Sequence, residues 1–383
     1  MTLDSRAAIK LVFLIQALAS GSLFTRIPDL QQGLGIAAAT LGLALLGQPV
    51  GALSMFLFSS RLVERFGTRP ILLAGIPVMA FALFLMGIAP SPPLLFAALV
   101  IYAATFALTN VAMNVEADRV EAATEKRLMN TCHGIWSLGQ LTVFGIGAVA
   151  RGLQVPPAVH FGLFVPIIAI AVLVVLVPME PTAARSHGAA AGRRRLALPT
   201  AATMKLLGFM LGGALVEGVT RQWSVIFARD AFIAPDWAQA LTLPVFVAGA
   251  ALGRFFADSW THRFGPKRLA RALLVIALVG LCVTIFAPSL PVALCGFLLM
   301  GFGICTTFPA STSAAAQLGD RPSSENVAAL TMSLQTTMLA APPLMGLVAD
   351  TLGIRATFAM VLPLLFVSIA LAGALEPKRP PRP

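Results

Sequence analysis

The sequence predicts an all-α membrane protein whose twelve transmembrane helices form two pseudo-symmetric six-helix bundles. Three observations carry that prediction. Of 383 residues, 58% are hydrophobic and 11% charged, well under half the roughly 25% charged fraction of soluble domains. Two long stretches, 70–115 and 272–319, hold no Asp, Glu, Lys or Arg. A short basic loop occurs once in each half of the chain at matching positions. Disorder is excluded, because it needs much charge and little apolar surface. A membrane β-barrel is excluded, because the apolar runs do not alternate with period two.

Twelve apolar runs of about 20 residues each can cross a bilayer. The first, 9–26, follows Arg6 and Lys10 and leads into Arg26-Ile27-Pro28-Asp29. No small-residue cleavage site follows, so it reads as a retained anchor. The second, 38–59, ends at the basic residues from Arg61. The third and fourth, 71–89 and 94–114, share one charge-free stretch, which Pro90, Pro92 and Pro93 break into a hairpin. The fifth, 130–150, lies between Arg127 and Arg151, and the sixth, 159–178, runs up to the longest hydrophilic stretch. The seventh, 205–227, starts at Lys205, and the eighth, 239–259, ends before Arg263. The ninth and tenth, 270–287 and 291–313, share the second charge-free stretch, broken by Pro288 and Pro291. The last two, 327–348 and 355–375, follow Arg321 and start at Arg355.

Basic residues set the orientation. With the N-terminus in the cytoplasm, inner segments hold 21 of the 27 Lys and Arg. Outer segments hold Arg26, Arg151, Arg221, Arg229 and Arg355, and Arg254 falls inside a span. Both termini are therefore expected inside. This loop charge accounts for the net charge of +11 without a nucleic-acid partner. Residues 1–178 and 205–383 read as the two bundles, and 179–204 as a flexible cytoplasmic linker. Its run Arg193-Arg194-Arg195 is either ordinary positive-inside charge or a dock for anionic lipid. Cys132, Cys282, Cys295 and Cys305 lack the spacing of a zinc or redox motif and read as packed thiols. No metal and no cofactor are expected.

The halves match at an offset of 198. Arg65-Phe66-Gly67-Thr68-Arg69 corresponds to Arg263-Phe264-Gly265-Pro266-Lys267, and Gly51 to Gly249. Repeated halves are common in secondary transporters, whose substrate sites lie between them near the bilayer midplane.

The stretch from Ser60 to Arg69 resembles the Gly-x-x-x-Asp-Arg-x-Gly-Arg-Arg loop of the major facilitator superfamily, with Ser60, Glu64 and Thr68 as departures. Here Gly67 permits the tight turn, and Glu64 with Arg65 and Arg69 can make exchangeable ion pairs at a cytoplasmic gate. Arg26-Ile27-Pro28-Asp29, Met113-Asn114, Val120-Glu121, Met129-Asn130, His133, Ser137-Leu138-Gly139, Glu217-Gly218 and Trp223-Ser224 look like a bacterial inner-membrane branch with kinship to fucose-type sugar permeases. Gln222 stands where that branch leads us to expect Asp. The resemblance covers essentially the whole chain. It implies a secondary active transporter working by alternating access, proton-driven, as a monomer in the bilayer. Drug antiporters of the superfamily carry a Gly-Pro signature in helix five, and Gly139–Gly145 has no proline.

A charge at the bilayer centre costs about 2.5–3.5 kcal/mol, so each one needs a reason. Glu217 lies twelve residues beyond Lys205, roughly 18 Å deep at 1.5 Å per residue. Arg221 is one turn further on the same face. The pair reads as a proton-coupling carboxylate with its partner, or as a fixed structural ion pair. Arg254 and Asp258 form a second i, i+4 pair beside the inner loop and, with Arg263 and Gly265, complete the gate. His133, near Asn110 and Asn114, can relay protons, bind substrate or simply pack. Gln16, Ser20, Gln48, Trp136 and Gln140 can line a substrate cavity or glue helices together. Trp223 can face that cavity or the outer aromatic belt. Arg26, Arg221 and Arg254 permit an anionic substrate; the amides and aromatics equally suit a sugar-like one.

Two other classes compete. A membrane-embedded enzyme would need a chemical motif, yet there is no Gly-x-Ser-x-Gly, His-Glu-x-x-His or Walker loop. A non-transporting receptor would be expected to append a sensing domain, and the tail after the last span has only about eight residues. Within transport, drug or metabolite efflux is the alternative to sugar-like uptake.

Overall fold

A computed structural model describes residues 4–125, 127–179 and 198–376, the side chains of Asn130, Asp258 and Ser324 excepted. The chain divides into two compact units, Met1–Ala190 and Ala191–Pro383. Among the described residues there is no β-strand. The first unit contains α1 (Ser5–Leu34), α2 (Ala38–Leu45), α3 (Gly47–Phe66), α4 (Thr68–Gly87), α5 (Pro92–Thr124), α6 (Met129–Gly152) and α7 (Pro157–Leu176). The second contains α8 (Ala201–Ala231), α9 (Asp236–Gln239), α10 (Thr242–Phe264), α11 (Pro266–Phe286), α12 (Leu290–Ile304), α13 (Thr307–Ala316), α14 (Ser323–Met338), α15 (Ala341–Leu352), α16 (Ile354–Ala359) and α17 (Leu362–Leu371), then a 3₁₀ turn at Ala372–Leu375.

Proline explains why some spans are single helices and others are pairs. The gaps between α2 and α3, α9 and α10, α12 and α13, α14 and α15, and α16 and α17 each lie two to four residues before Pro49, Pro244, Pro309, Pro343 and Pro363. A proline has no N–H for the carbonyl four residues back, and its ring crowds that turn. Pro28, Pro77 and Pro166 are accommodated inside α1, α4 and α7.

Among the described residues ten helical stretches are long and apolar enough to cross a membrane. The predicted spans 130–150 and 327–348 fall on α6 and on α14 with α15, which are not among them. Residues such as His133, Ser137 and Gln140 in α6, and Gln335, Thr336 and Thr337 in α14, dilute their apolar character.

The helix α8 begins at Ala201, inside the expected 179–204 linker, and two further boundaries are corrected. Arg26-Ile27-Pro28-Asp29 lies inside α1, which continues to Leu34. Asn114 through Glu121 lie inside α5, which continues to Thr124. Both helices outlast their apolar runs because buried partners hold the polar residues of the last turns. The linker's Arg185, Arg193, Arg194 and Arg195, together with Lys126, Lys378, Arg379 and Arg382, lie outside the described residues.

The internal repeat extends to packing. A Cβ on Gly51 would stand 2.3 Å from the carbonyl oxygen of Val100, and one on Gly249 2.2 Å from that of Leu298. The partners are again 198 apart. Each glycine lets two backbones approach closely, α3 on α5 and α10 on α12. Gly67 and Gly265 also match, at φ 81°, ψ 163° and φ 77°, ψ 154°. Each ends one helix and begins the next in a conformation that suits glycine alone. Gly353, at φ 87° and ψ 165°, makes a third such elbow between α15 and α16. In the first unit α1 packs on α4, α5, α6 and α7; in the second, α8 packs on α10, α12, α13, α14, α16 and α17. Cys132 and Cys305 are buried, Cys282 is half-buried, Cys295 is exposed, and all four thiols are free.

Candidate functional site

In the first unit α1 and α6 meet rung by rung. Phe13, Gln16 and Ser20 have the spacing i, i+3, i+7 on α1; His133, Trp136 and Gln140 have it on α6. The order of the contacts makes the helices parallel. The Phe13 and His133 rings meet edge to face at 5.3 Å. Trp136 Nε1 donates to Gln16 Oε1 at 2.7 Å. Gln140 Nε2 donates to Ser20 Oγ at 2.8 Å and to the Ala17 carbonyl at 3.1 Å. The Tyr102 hydroxyl donates to the Ser20 carbonyl at 2.6 Å. Gly139, against Ala17 and Leu14, allows the close approach. Gln16, Ser20 and Gln140 are buried, whereas Trp136 is half-buried and His133 exposed.

His133 Nε2 also lies 3.2 Å from Asn114 Oδ1. Asn114 Nδ2 donates to the Asn110 carbonyl at 2.8 Å. With its amide nitrogen committed there, Asn114 offers His133 an acceptor. With Nε2 as donor to Asn114, the neutral His133 ring has Nδ1 as its acceptor. Gln48 is half-buried on α3 and takes part in none of these bonds.

In the second unit the Arg221 Nε to Glu217 Oε1 distance is 3.2 Å, so the i, i+4 pair is formed. The Glu217 side chain is 44% exposed and that of Arg221 29%. The carboxylate is thus not withdrawn from the surface of its unit, contrary to the expected desolvation. Trp223 is fully buried and so faces neither an open cavity nor the outer belt. Its neighbour Ser224 pairs with Thr242 at 2.9 Å. Arg254 is exposed on α10; the side chain of Asp258 lies outside the described residues, and with it the second pair.

The expected ion pairs at the Gly67 elbow are not formed. Glu64 is exposed and pairs with neither Arg65 nor Arg69. Arg65 lies over the Phe66 ring at 5.4 Å, as Arg263 lies over Phe264 at 5.3 Å. Arg69 donates to the Val177 carbonyl at the end of α7. Lys267 occupies the matching place in the second unit, 3.0 Å from Glu376 just past the last turn. The buried acid here is Glu116, which the sequence placed only at an inner helix end. It accepts from Thr68 Oγ1 at 2.5 Å and lies 3.7 Å from Arg119. Thr68 is the first residue of α4, so the carboxylate sits at a helix N-terminus, where the dipole favours negative charge.

A second cluster was also missed. Asp29 lies 2.9 Å from Arg26 Nε and 3.0 Å from Arg151 Nε, and both arginine side chains are 2% exposed. Arg26 also donates to the Val155 carbonyl. These guanidiniums close on Asp29, which removes Arg26 as a cavity cation. The signal was the placement of Asp29 i+3 from Arg26, with Arg151 ending the fifth span. In the second unit Arg355 donates to the carbonyls of Ile285 and Ala287. Outside the spans, the Asn326 amide donates to Asp320 at 2.7 Å and, as the largest effect, holds its carboxyl below the usual range. No cluster of three or more metal-ligating side chains occurs among the described residues.

A sequence profile described as Major Facilitator Superfamily matches residues 10–235 and 236–383. The chain is 28% identical over 353 residues to the uncharacterized transporter y4wD of Sinorhizobium fredii (strain NBRC 101917 / NGR234), covering 91% of this chain and 92% of that protein. Among solved structures it is similar to the nucleoside transporter NupG, with a TM-score of 0.77 at 15% identity over 97% of this chain and 98% of that one. It is similar as well to the E. coli fucose:proton symporter FucP, with a TM-score of 0.63 at 16% identity over 98% of this chain and 100% of that one.

Proposed function

Because the chain belongs to the major facilitator superfamily, we propose that this multi-pass membrane transporter carries a small solute across the bacterial inner membrane by alternating access, coupled to protons. It is a transporter and not an enzyme. The single observation that supports proton coupling is the Glu217–Arg221 pair. Glu217 is an acid in an otherwise apolar helix, and Arg221 at 3.2 Å supplies its counter-charge. The carboxylate keeps enough exposure for a proton to reach it. In the proposed cycle the carboxylate is held by Arg221 in one state and by the coupling proton in the other. One group with two such conditions can tie solute movement to a proton gradient. FucP is, by name, a proton symporter, which supports the same reading.

The excess of Lys and Arg in the expected inner segments supports an inner-membrane location with both termini and the 179–204 linker in the cytoplasm. The two bundles are taken as 1–178 and 205–383. His133 is the second candidate for coupling, and the elbows at Gly67 and Gly265 the candidate gate. The transporter acts as a monomer.

Proteoliposomes with an imposed pH gradient test the reading. Solute uptake should rise with the gradient and collapse on adding a protonophore. Uptake that is equal with and without the gradient would overturn proton coupling.

A further inference from the structure

Resting on the transport reading, we propose that the α1–α6 seam recognises an uncharged solute bearing hydroxyl groups beside an apolar face. The first support is what the seam leaves open. Gln16 and Gln140 are at most 3% exposed. Gln16 Oε1 takes the Trp136 N–H and Gln140 Nε2 donates twice. Gln16 Nε2 and Gln140 Oε1 are buried without a partner. One donor and one acceptor thus remain about a helical turn apart. An unmade hydrogen bond of this kind costs about 1–3 kcal/mol, which an arriving ligand group can recover.

The second support comes from the open side of the same rungs. His133, fixed by Asn114, presents Nδ1 as a further acceptor. Trp136 is pinned by its bond to Gln16, so its half-exposed indole is oriented before any solute arrives. A fixed aromatic face suits the C–H face of a ring or chain, at little entropic cost.

The third support is charge. Gln16, Ser20, Trp136, Gln140, Asn110 and Asn114 are all neutral. Glu121, at the inner end, caps α6 by accepting the N–H groups of Leu128 and Met129. Arg26 and Arg151 close on Asp29. Lys10 stands one turn before Phe13, and Arg26 with Arg151 outnumber Asp29, so charge lies at the two ends of the seam. Between them, along the rungs from Gln16 to Ser20 and Trp136 to Gln140, a carboxylate or ammonium group would meet no counter-charge, at a high desolvation cost. An apolar solute would leave the open donor and acceptors unpaired. A hydroxyl both donates and accepts, so it serves Gln16 Nε2, Gln140 Oε1 and His133 Nδ1 alike.

The test uses the purified full-length chain and thermal-shift titration. The uncharged probes are glucose, glucitol, inositol and uridine. Their charged counterparts are gluconate, glucosamine and uridine monophosphate, and cyclohexane is the apolar control. At least one uncharged probe should raise the melting temperature in a saturable way, and no charged counterpart or control should do so. Gln16→Leu and Gln140→Leu should each weaken that binding at least tenfold. Trp136→Phe and His133→Phe, on the open side, should weaken it as well, and they keep the test decisive if the leucine variants fail to fold. Binding by charged probes alone, by the apolar control alone or by none would overturn the proposal. So would leucine variants that bind like the wild type, since the seam would then hold only water. Flux of a charged probe into proteoliposomes would leave the transport reading standing while this one falls. Saturable binding of an uncharged probe with no flux would do the reverse.

Discussion

Trp136 donates its indole N–H to Gln16 Oε1 at 2.7 Å, and this bond marks where the polar face of α6 meets α1. In a bilayer a polar side chain turned to lipid finds no partner. Trp136 and Gln140 find theirs on α1 and His133 on α5, while the Ser137 and Thr142 hydroxyls turn back to carbonyls of α6 itself. A helix too polar to stand in lipid by itself is thereby kept in the bundle, and its polarity remains available to a solute.

The matched glycines predict matched losses. Gly51→Ala and Gly249→Ala each push a methyl group onto a backbone carbonyl that cannot move aside. Overpacking of this kind costs about 1–3 kcal/mol. Both variants should show a lower thermal midpoint of the detergent-solubilised protein by size-exclusion chromatography. An unchanged midpoint in either would contradict the close packing assigned to it.

Gly67 holds φ at 81°. A β-branched residue is strained there by about 1–3 kcal/mol. Gly67→Val should reduce the rate of solute transport several-fold while the amount of protein in the membrane stays the same. Normal rates would argue against the elbow as part of the gate.

Two acids near the Gly67 elbow should behave differently. Glu116 is buried between Thr68 and Arg119, and Glu64 is exposed. Removing the Glu116 carboxylate strands a buried hydroxyl, at about 1–3 kcal/mol. Removing an exposed charge usually changes stability by no more than about 0.5 kcal/mol. Glu116→Leu should therefore lower the thermal midpoint clearly and Glu64→Leu hardly at all. Equal effects would mean that Glu116 does not anchor the start of α4.

Much of the fold was legible because a bilayer imposes length and apolarity on every span. The two charge-free stretches each became a hairpin of helices, and the match of Gly51 to Gly249 became a shared packing contact. Span ends were less legible. Arg26 and Asp29 read as loop residues, because linear hydropathy cannot see that Arg151, more than a hundred residues away, completes their cluster. The elbow misled for a related reason. The loop pattern placed Glu64 among cations, whereas the partner that matters, Glu116, comes from α5 and is brought there only by packing. Gln16, Trp136 and Gln140 could be named singly from the sequence. Their pairing rung by rung could not, since it depends on which helix faces which.

The orientation has its own test. A cysteine introduced at Gly188 should react with an impermeant thiol reagent in inverted vesicles and stay unlabelled in intact cells. Labelling from outside intact cells would reverse the topology.

The central claim is that Glu217 couples solute movement to protons through Arg221, and one comparison tests it most directly. Wild type and Glu217→Gln are reconstituted in proteoliposomes, and solute accumulation under an imposed pH gradient is measured beside solute exchange between equal pools. The wild type should do both. Glu217→Gln keeps the shape and a hydrogen bond to Arg221 but cannot lose a proton, so it should exchange solute at near-normal rates and accumulate none. Accumulation by Glu217→Gln against a solute gradient would contradict the account and reduce the pair to a structural one.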